Sequence, residues 1–289
     1  MKIHIGYGNK MIIKLEPTVN VVAQTNFTDH PTYHIPDGGD EFTRLGAFAA
    51  KGCYDSFGKN GRANDQNQLA ILEHRHGSVL EHMNITLFIE GITRGLSLEL
   101  NRHRSFAISQ RSTRYTAEED SAIVLEPYFA SLFRQNPPKF KHNLGFYSHI
   151  TTKNGRTVSD SERAEHDILV EHLNIQYDAI LAYERQVENL MEVNPNQLDG
   201  FDLRKWARGK ARNVLPHGIE TRGTWTNNIR GWRWFIESRS DRHAEPEIRS
   251  LAHVVLKELR EVAPLYFNDF KTSEVVDTLP EWVTEYSKV

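Results

Sequence analysis

Cysteine is almost missing from this 289-residue chain; Cys53 is the only one. A single thiol excludes an intrachain disulfide framework and any cysteine-rich zinc or iron–sulfur site. Long apolar runs are missing too. No segment approaches the roughly 18 consecutive apolar residues of a membrane span. Residues 1–17 lack a charged region followed by a long apolar core and a small-residue cleavage site. The expected setting is therefore the reducing cytoplasm, with no membrane association. Neither sign of charge dominates: 35 Lys and Arg stand against 38 Asp and Glu, a net charge of −3. No global basic field is available to hold nucleic acid. The glycine-rich phosphate loop GxxxxGK[ST], the dinucleotide fingerprint GxGxxG and the nucleophile elbow GxSxG are all absent. A bound nucleotide would have to be held by arginine rather than by a glycine loop at a helix N-terminus.

What is present is the composition of an ordinary globular protein, 39% hydrophobic and 25% charged, long enough for one large domain or two small ones. Residues 1–40 read as peripheral strands and loops, with Met11–Leu15 and Val19–Val22 strand-like between prolines and glycines. Residues 41–56 read as a helix, and Asp65 as the cap of a short helix carrying Leu69, Ile71 and Leu72. Met83–Ile89 alternates as a strand does, residues 92–102 read as a helix, and Ser105–Thr116, without apolar period, reads as a loop. Residues 136–160 read as an insertion or flexible connection. The strongest helix signal starts near Ser159 or Ser161. There Leu169, Leu173, Tyr177, Ile180, Tyr183, Val187 and Leu190 recur at intervals of three and four until Asn194-Pro195. Helices over about 199–212, 228–238 and 247–262 follow, with a strand over 219–225 and a tail over 271–289. No linker or repeat divides the chain. The expected fold is a single mixed α+β domain, helices packed around a modest, mainly antiparallel sheet.

Three clusters carry chemistry. Residues 101–115, NRHRSFAISQRSTRY, hold four Arg and one His with no acid and no Lys. A solvated basic loop would account for the charge alone, but exposed loops favour Lys. Arginine forks bind phosphates and carboxylates bidentately, with Ser and Thr hydroxyls filling the remaining positions. The second group is Arg212, Arg222, Arg230, Arg233, Arg239, Arg242 and Arg249, interleaved with Trp225, Trp232, Trp234 and Phe235. Core packing accounts for some of the tryptophans and less well for the arginines. The third is residues 73–82, EHRHGSVLEH, with three His and two Glu. Its spacing fits no zinc pattern and Gly77 interrupts the element, so no metal is expected.

These residues resemble a known family. Arg102-His103-Arg104, seven residues, then Ser112 reproduces the RHRx7S signature of the flavin-dependent thymidylate synthases. The resemblance extends through residues 109–115 (SQRSTRY), 76–82 (HGSVLEH), 211–216 (ARNVLP), 225–230 (WTNNIR) and 239–248 (RSDRHAEPEI). These ordered motifs lie within about residues 41–270, which the resemblance makes the catalytic domain. It implies a methyltransferase, a homotetramer with shared active sites. The reaction implied is reductive methylation of dUMP to dTMP, with methylenetetrahydrofolate as one-carbon donor, NADPH-reduced FAD, and no enzyme cysteine as nucleophile. It implies FAD contacts at Ser78, Arg102, His103, Arg104, Gln110, Asn228, Ile229, Arg230 and Trp234. It implies dUMP contacts at Glu99, Arg102, Gln110, Arg111, Ser112, Thr113, Arg114, Arg212 and Arg239. Of these, Arg239 is the catalytic residue, beside the uracil, where a permanently charged guanidinium favours ionisation at N3. His76 and His103 are candidates to position the folate.

Departures from the family pattern are Gln110 for a Glu found in some members, Ala107 for Ser, Trp234 for Asn or His, and Glu245 and Glu99 each for Gln. An acid at Glu99, next to a dianionic nucleotide, needs a nearby Arg or a hydrogen-bonding role. The alternatives are a member that binds nucleotide and flavin without turnover, and a non-enzymatic RNA- or single-strand-binding protein, against which the overall acidity argues. Cys53 lies in a helix-end context similar to a flavin-side position of the family, not to a nucleophile's. Cys53→Ser is expected to retain tritium release from 5-tritiated dUMP; loss of activity with fold and flavin intact would contradict a nucleophile-free reaction.

Overall fold

The computed structural model describes residues 2–4, 10–118, 121–141, 145–148, 152–153 and 156–289. The chain forms two compact units, each assembled from separated stretches. Residues 1–16, 90–98 and 110–222 make one, and residues 17–89, 99–109 and 223–289 make the other. This interleaving explains why no linker is visible in the sequence. The α+β class with a mainly antiparallel sheet is as expected. The principal sheet has four strands in the spatial order Thr18–Gln24, Asn84–Thr93, Glu220–Asn228, Ala107–Gln110.

The first unit is organised by the helix Asp160–Val193. Ser159 caps it reciprocally: its Oγ accepts from the Glu162 backbone N–H at 3.2 Å, and the Glu162 carboxylate accepts from the Ser159 N–H at 3.0 Å. Its far end stops at Asn194, in the left-handed region at φ 33°, whose side chain bonds the backbone of Leu198. The expected apolar stripe is the buried one. Leu169, Leu173, Tyr177 and Ile180 pack with Ile13, Ile123, Phe133 and Ile219, while Tyr183 and Val187 pack with Ala207 and Ala211 of the helix Gly200–Ala211. The strand Lys10–Lys14 pairs parallel with Ile123–Val124. The ammonium of Lys14 is held by Glu90 at 2.8 Å and Glu220 at 2.6 Å.

The second unit buries Phe42, Trp225, Trp232, Phe235, Leu251, Leu259, Tyr266 and Phe267. Its helices are Glu41–Cys53, Asn64–Glu73, Ile229–Arg239, Pro246–Val262 and Pro264–Phe267. Asn228 caps the third of these, accepting from the Gly231 N–H at 2.8 Å. The Trp232 indole N–H donates to the Ile85 carbonyl at 3.0 Å. Arg233, 1% exposed, forks onto Asp269 with both contacts at 2.8 Å and also reaches the Tyr266 carbonyl. Arg249, equally buried, donates to the carbonyls of Val276 and Leu279.

Several local expectations change. Ala107–Gln110 is an edge strand rather than part of a loop. A lone edge strand needs only backbone pairing, so its side chains carry no apolar period. Asp65 lies in the first turn of its helix, and Ala63 holds the cap position. Between 136 and 160 the described residues form two small hairpins, Lys139–Lys141 with Gly145–Tyr147 and Thr152–Lys153 with Arg156–Thr157. Residues 142–144, 149–151 and 154–155 of that stretch lie outside the described ones. Met11, Ile13 and Val19 are buried, so the first 40 residues supply core as well as periphery. Lys271–Val276 and Leu279–Val283 form a hairpin within the segment read as a tail.

Leu173→Ala, which empties a fully buried site on the long helix, is expected to cost about 2–5 kcal/mol. Ser159→Ala, which removes the cap alone, is expected to cost about 1 kcal/mol. Urea denaturation monitored by circular dichroism measures both.

Candidate active site

Within the first unit, the helix Arg94–Leu100 starts where the strand Asn84–Thr93 ends. Thr93 Oγ1 accepts from the Leu96 N–H at 2.8 Å and sets the first turn. A cavity of about 320 Å³ opens beside that turn, lined by Arg94, Ser97, Gln110, Thr113, Arg212 and His217 among others. The Gln110 amide donates to Ser97 Oγ at 2.9 Å and to Thr221 Oγ1 at 3.0 Å. A carboxylate at this position could not donate either bond, so the glutamine departure is matched by its surroundings. Arg212 Nη1 approaches Thr113 Oγ1 at 3.4 Å, and Arg94 Nη1 is buried without a hydrogen-bond partner among the described residues. Burial weakens the hold of Arg94 on its proton, Glu118 strengthens it, and Arg111 and Arg212 repel it. Arginine nonetheless stays charged at any physiological pH. The result is a cavity with excess positive charge and uncommitted donors, which suits an anion.

Residues 111–118 fold back beside this cavity. Arg111 N donates to the Arg222 carbonyl at 2.9 Å, and the Ser112 carbonyl accepts from the Thr116 N–H at 3.1 Å and its hydroxyl at 2.6 Å. Ser112 Oγ accepts from the Arg114 N–H at 3.3 Å. Thr113 is buried and Arg114 is exposed.

Within the second unit, Arg102, His103, Arg104, Ser105, Trp234, Ser238 and Arg239 line a cavity of about 460 Å³. The helix Ile229–Arg239 brings Trp234 and Arg239 there, and the turn after Leu100 brings His103. Arg239 Nε donates to His103 Nε2 at 2.8 Å, and its Nη1 meets Glu99 Oε2 at 3.4 Å. Of the two partners expected for an acid at position 99, a nearby arginine is the one present. His103 packs its ring against Phe106 and edge-on to Phe235. Burial, followed by the Arg239 charge, pushes its pKa down to about 4. It is neutral at pH 7, with Nε2 as acceptor and the proton on Nδ1. Arg102 and Arg104 are exposed, and their guanidiniums form no hydrogen bond or ion pair among the described residues. Trp234 is 50% exposed, unlike the buried Trp225 and Trp232.

The remaining expected positions are placed as follows. Ser78 and His76 are exposed, on and just before the 3-10 turn Gly77–His82. Arg230 pairs with Glu81 at 2.5 Å and donates to the Val289 carbonyl at 3.2 Å. Asn228 is engaged as the helix cap, and Ile229 is buried. The second arginine group divides: Arg233 and Arg249 are structural, whereas Arg212 and Arg239 line the cavities. His74, His76 and His82 are exposed, and among the described residues no three His, Cys, Asp or Glu side chains gather as a metal site. Cys53 is exposed at the end of its helix.

Sequence reasoning missed Arg94, Ser97 and His217 in the first cavity. The available signal was an arginine one helical turn ahead of a serine, at the start of an expected helix and with no acid beside it.

The pH dependence of His103 has a definite sign. Above pH 6.5 it is neutral folded and unfolded. Between about 4 and 6.5 the unfolded chain takes up a proton that the folded chain refuses, so stability falls as pH falls through that window and the loss levels off below it. Urea denaturation at pH 7.5 and pH 5 is expected to show a smaller difference for His103→Gln than for the unchanged protein.

Residues 40–265 match the family model described as thymidylate synthase complementing protein. The chain is 34% identical over 262 residues to the flavin-dependent thymidylate synthase of Mycobacteroides abscessus, covering 90% of this chain and 92% of that one. It is 35% identical, with the same coverage, to the flavin-dependent thymidylate synthase of Mycobacterium sp. strain JLS. Its fold is similar to that of PolB from Streptomyces cacaoi, a UMP/dUMP methylase solved with 5-Br UMP. There the TM-score is 0.58 at 19% identity, over 89% of this chain and 95% of that one. The chain belongs to the thymidylate synthase complementing protein family, the flavin-dependent thymidylate synthases.

Proposed function

We propose that the protein converts dUMP to dTMP by reductive methylation, with methylenetetrahydrofolate as the one-carbon donor, NADPH as reductant, bound FAD, and no cysteine nucleophile. The observation that carries this reading is the environment of Arg239. Its Nε rests on an uncharged imidazole and its Nη1 on a carboxylate at 3.4 Å, at the rim of a cavity with free guanidiniums. A guanidinium held in this way keeps its charge and a fixed plane. It can stabilise negative charge developing on a uracil ring without transferring a proton itself.

The donor set of the second cavity fits a flavin dinucleotide. Arg102 and Arg104 offer two uncommitted forks for a pyrophosphate, and the half-exposed Trp234 indole offers an apolar plane for a ring system. Bound FAD, once reduced, would supply the electrons for making a methyl group, which no side chain of this protein can provide. Ser78, Gln110 and Arg230 fall at other flavin positions of the family. Asn228 and Ile229 contribute through the backbone and cap they shape. His103, neutral, keeps Arg239 in place without adding a competing charge, and with His76 it is assigned to the folate.

The first cavity suits the phosphate of dUMP. Arg94 and Arg212 supply charge, and Thr113 and Gln110 supply polar groups beside them. Ser112 steadies the backbone of the adjoining loop through its bond to the Arg114 N–H. No cysteine lines either cavity, and Cys53 stands exposed at a helix end. We assign the working form to a homotetramer with shared sites, in the cytoplasm. No helix among the described residues is long and apolar enough to cross a membrane.

Arg239→Ala is expected to abolish tritium release from 5-tritiated dUMP, by at least about 100-fold, while flavin absorbance and the thermal transition persist. Ser112→Ala is expected to raise the dUMP KM or lower kcat substantially. Near-normal kinetics in either variant would overturn the assignment.

A further inference from the structure

Arg111 sits among the residues expected to meet dUMP, yet its guanidinium is already committed. Nη1 donates to Glu118 Oε2 at 2.5 Å and to Ser121 Oγ at 3.2 Å, and Nη2 donates to the Ala117 carbonyl at 2.6 Å. Ser121 Oγ donates to the same carboxylate oxygen. Glu118 is fully buried, and its other oxygen has no hydrogen-bond partner among the described residues. A buried carboxylate is expensive to desolvate and persists only where neighbouring positive charge compensates it. That charge comes from Arg111 in direct contact and from Arg94, which Glu118 stabilises at longer range.

The chain between Arg111 and Glu118 is residues 112–117, and its first five, 112–116, form the loop that carries Ser112, Thr113 and Arg114. Arg111 grips the residue that follows the loop and the acid after it, so the pair closes the loop at its base. Internal bonds from Thr116 and Arg114 back to Ser112 then set its shape. The charges match as well. Arg111 and Arg212 each repel Arg94, and Glu118 is the acid that counters this positive charge at Arg94. One carboxylate against three guanidiniums leaves an excess of two positive charges, the complement of a phosphate monoester with about two negative charges at neutral pH.

We propose that Glu118 is a positioning residue for the substrate phosphate. It holds Arg111 as the brace of the 112–116 loop, and so leaves Arg94 and Arg212 as the arginines that receive the phosphate. Arg111 then serves dUMP through the loop it closes and not as a ligand of its own. This rests on the dUMP reading of the first cavity.

The test is a double-mutant cycle on the flavin-loaded enzyme, with Arg111→Leu, Glu118→Leu and the pair together, and Glu118→Gln alongside. Steady-state kinetics in dUMP are the readout, with flavin absorbance and melting as controls for folding. Each single variant is expected to raise the dUMP KM about tenfold while kcat changes less than about threefold. The double variant is expected to be no worse than the weaker single one, because the two groups act as one unit. Should the Glu118 variants fail to fold, Ser121→Ala removes one hydrogen bond from the carboxylate and is expected to raise KM about threefold. An unchanged KM in Glu118→Gln or Ser121→Ala, or additive effects in the cycle, overturns the proposal. If the unchanged enzyme fails to release tritium from 5-tritiated dUMP, the dUMP reading itself fails, which is a separate result.

Discussion

A guanidinium taken out of water needs partners for its charge and for most of its N–H groups, and this need sorts the arginines of the protein. Arg233 meets it with Asp269, a backbone carbonyl and the face of Phe270, and is thereby free to be core. Arg249 meets it with two carbonyls of the C-terminal hairpin. Arg111 meets it with Glu118. Arg102 and Arg104 do not meet it internally and stay exposed, and the partly buried guanidinium of Arg94 makes no hydrogen bond or ion pair among the described residues. Arg233, Arg249 and Arg111, with their guanidiniums engaged inside the protein, brace the fold. Arg94, Arg102 and Arg104 are the ones proposed to meet negatively charged ligands.

The same requirement shapes the surroundings of Arg239. A charged histidine beside it would repel it, and a second carboxylate in firm contact would neutralise it. The structure places a histidine whose pKa is driven to about 4 by burial and by Arg239 itself, and one acid at the edge of hydrogen-bonding distance. The two groups suit each other: burial, reinforced by the arginine's charge, keeps the imidazole neutral, and the neutral imidazole accepts the arginine's Nε–H. The rest of the second unit supports this pair. The helix that carries Arg239 is capped by Asn228, anchored through Trp232 to the Ile85 carbonyl, and tied through Arg233 to the segment that follows Phe267.

Much of this is legible in the sequence, for identifiable reasons. The long helix announces itself because its apolar stripe has a clean helical period and Ser159 and Glu162 stand at capping-box spacing. The stretch 101–115 is legible because four arginines without an acid or a lysine are unusual in a chain of net charge −3. What escapes is decided by contacts distant along the chain. Ala107–Gln110 is a strand only because a neighbouring strand pairs with it. Arg233 looks like a site residue until Asp269, 36 positions away, is found against it. Arg94 looks like an ordinary helix-end residue until Arg212 and Thr113 close the cavity around it. Glu118 carries no motif at all; its meaning lies in being the buried acid beside Arg111. The division into two interleaved units escapes for the same reason, since each unit draws on three separate stretches of chain.

The most direct measurement of the central claim is a dUMP titration of the purified protein followed by visible absorbance. The account predicts a yellow protein with flavin bands. Those bands are expected to shift saturably with dUMP and to respond far less to deoxyuridine, which lacks the phosphate proposed to meet Arg94 and Arg212. A colourless protein that takes up neither FAD nor dUMP, or flavin bands that respond equally to the nucleoside and the nucleotide, would contradict it.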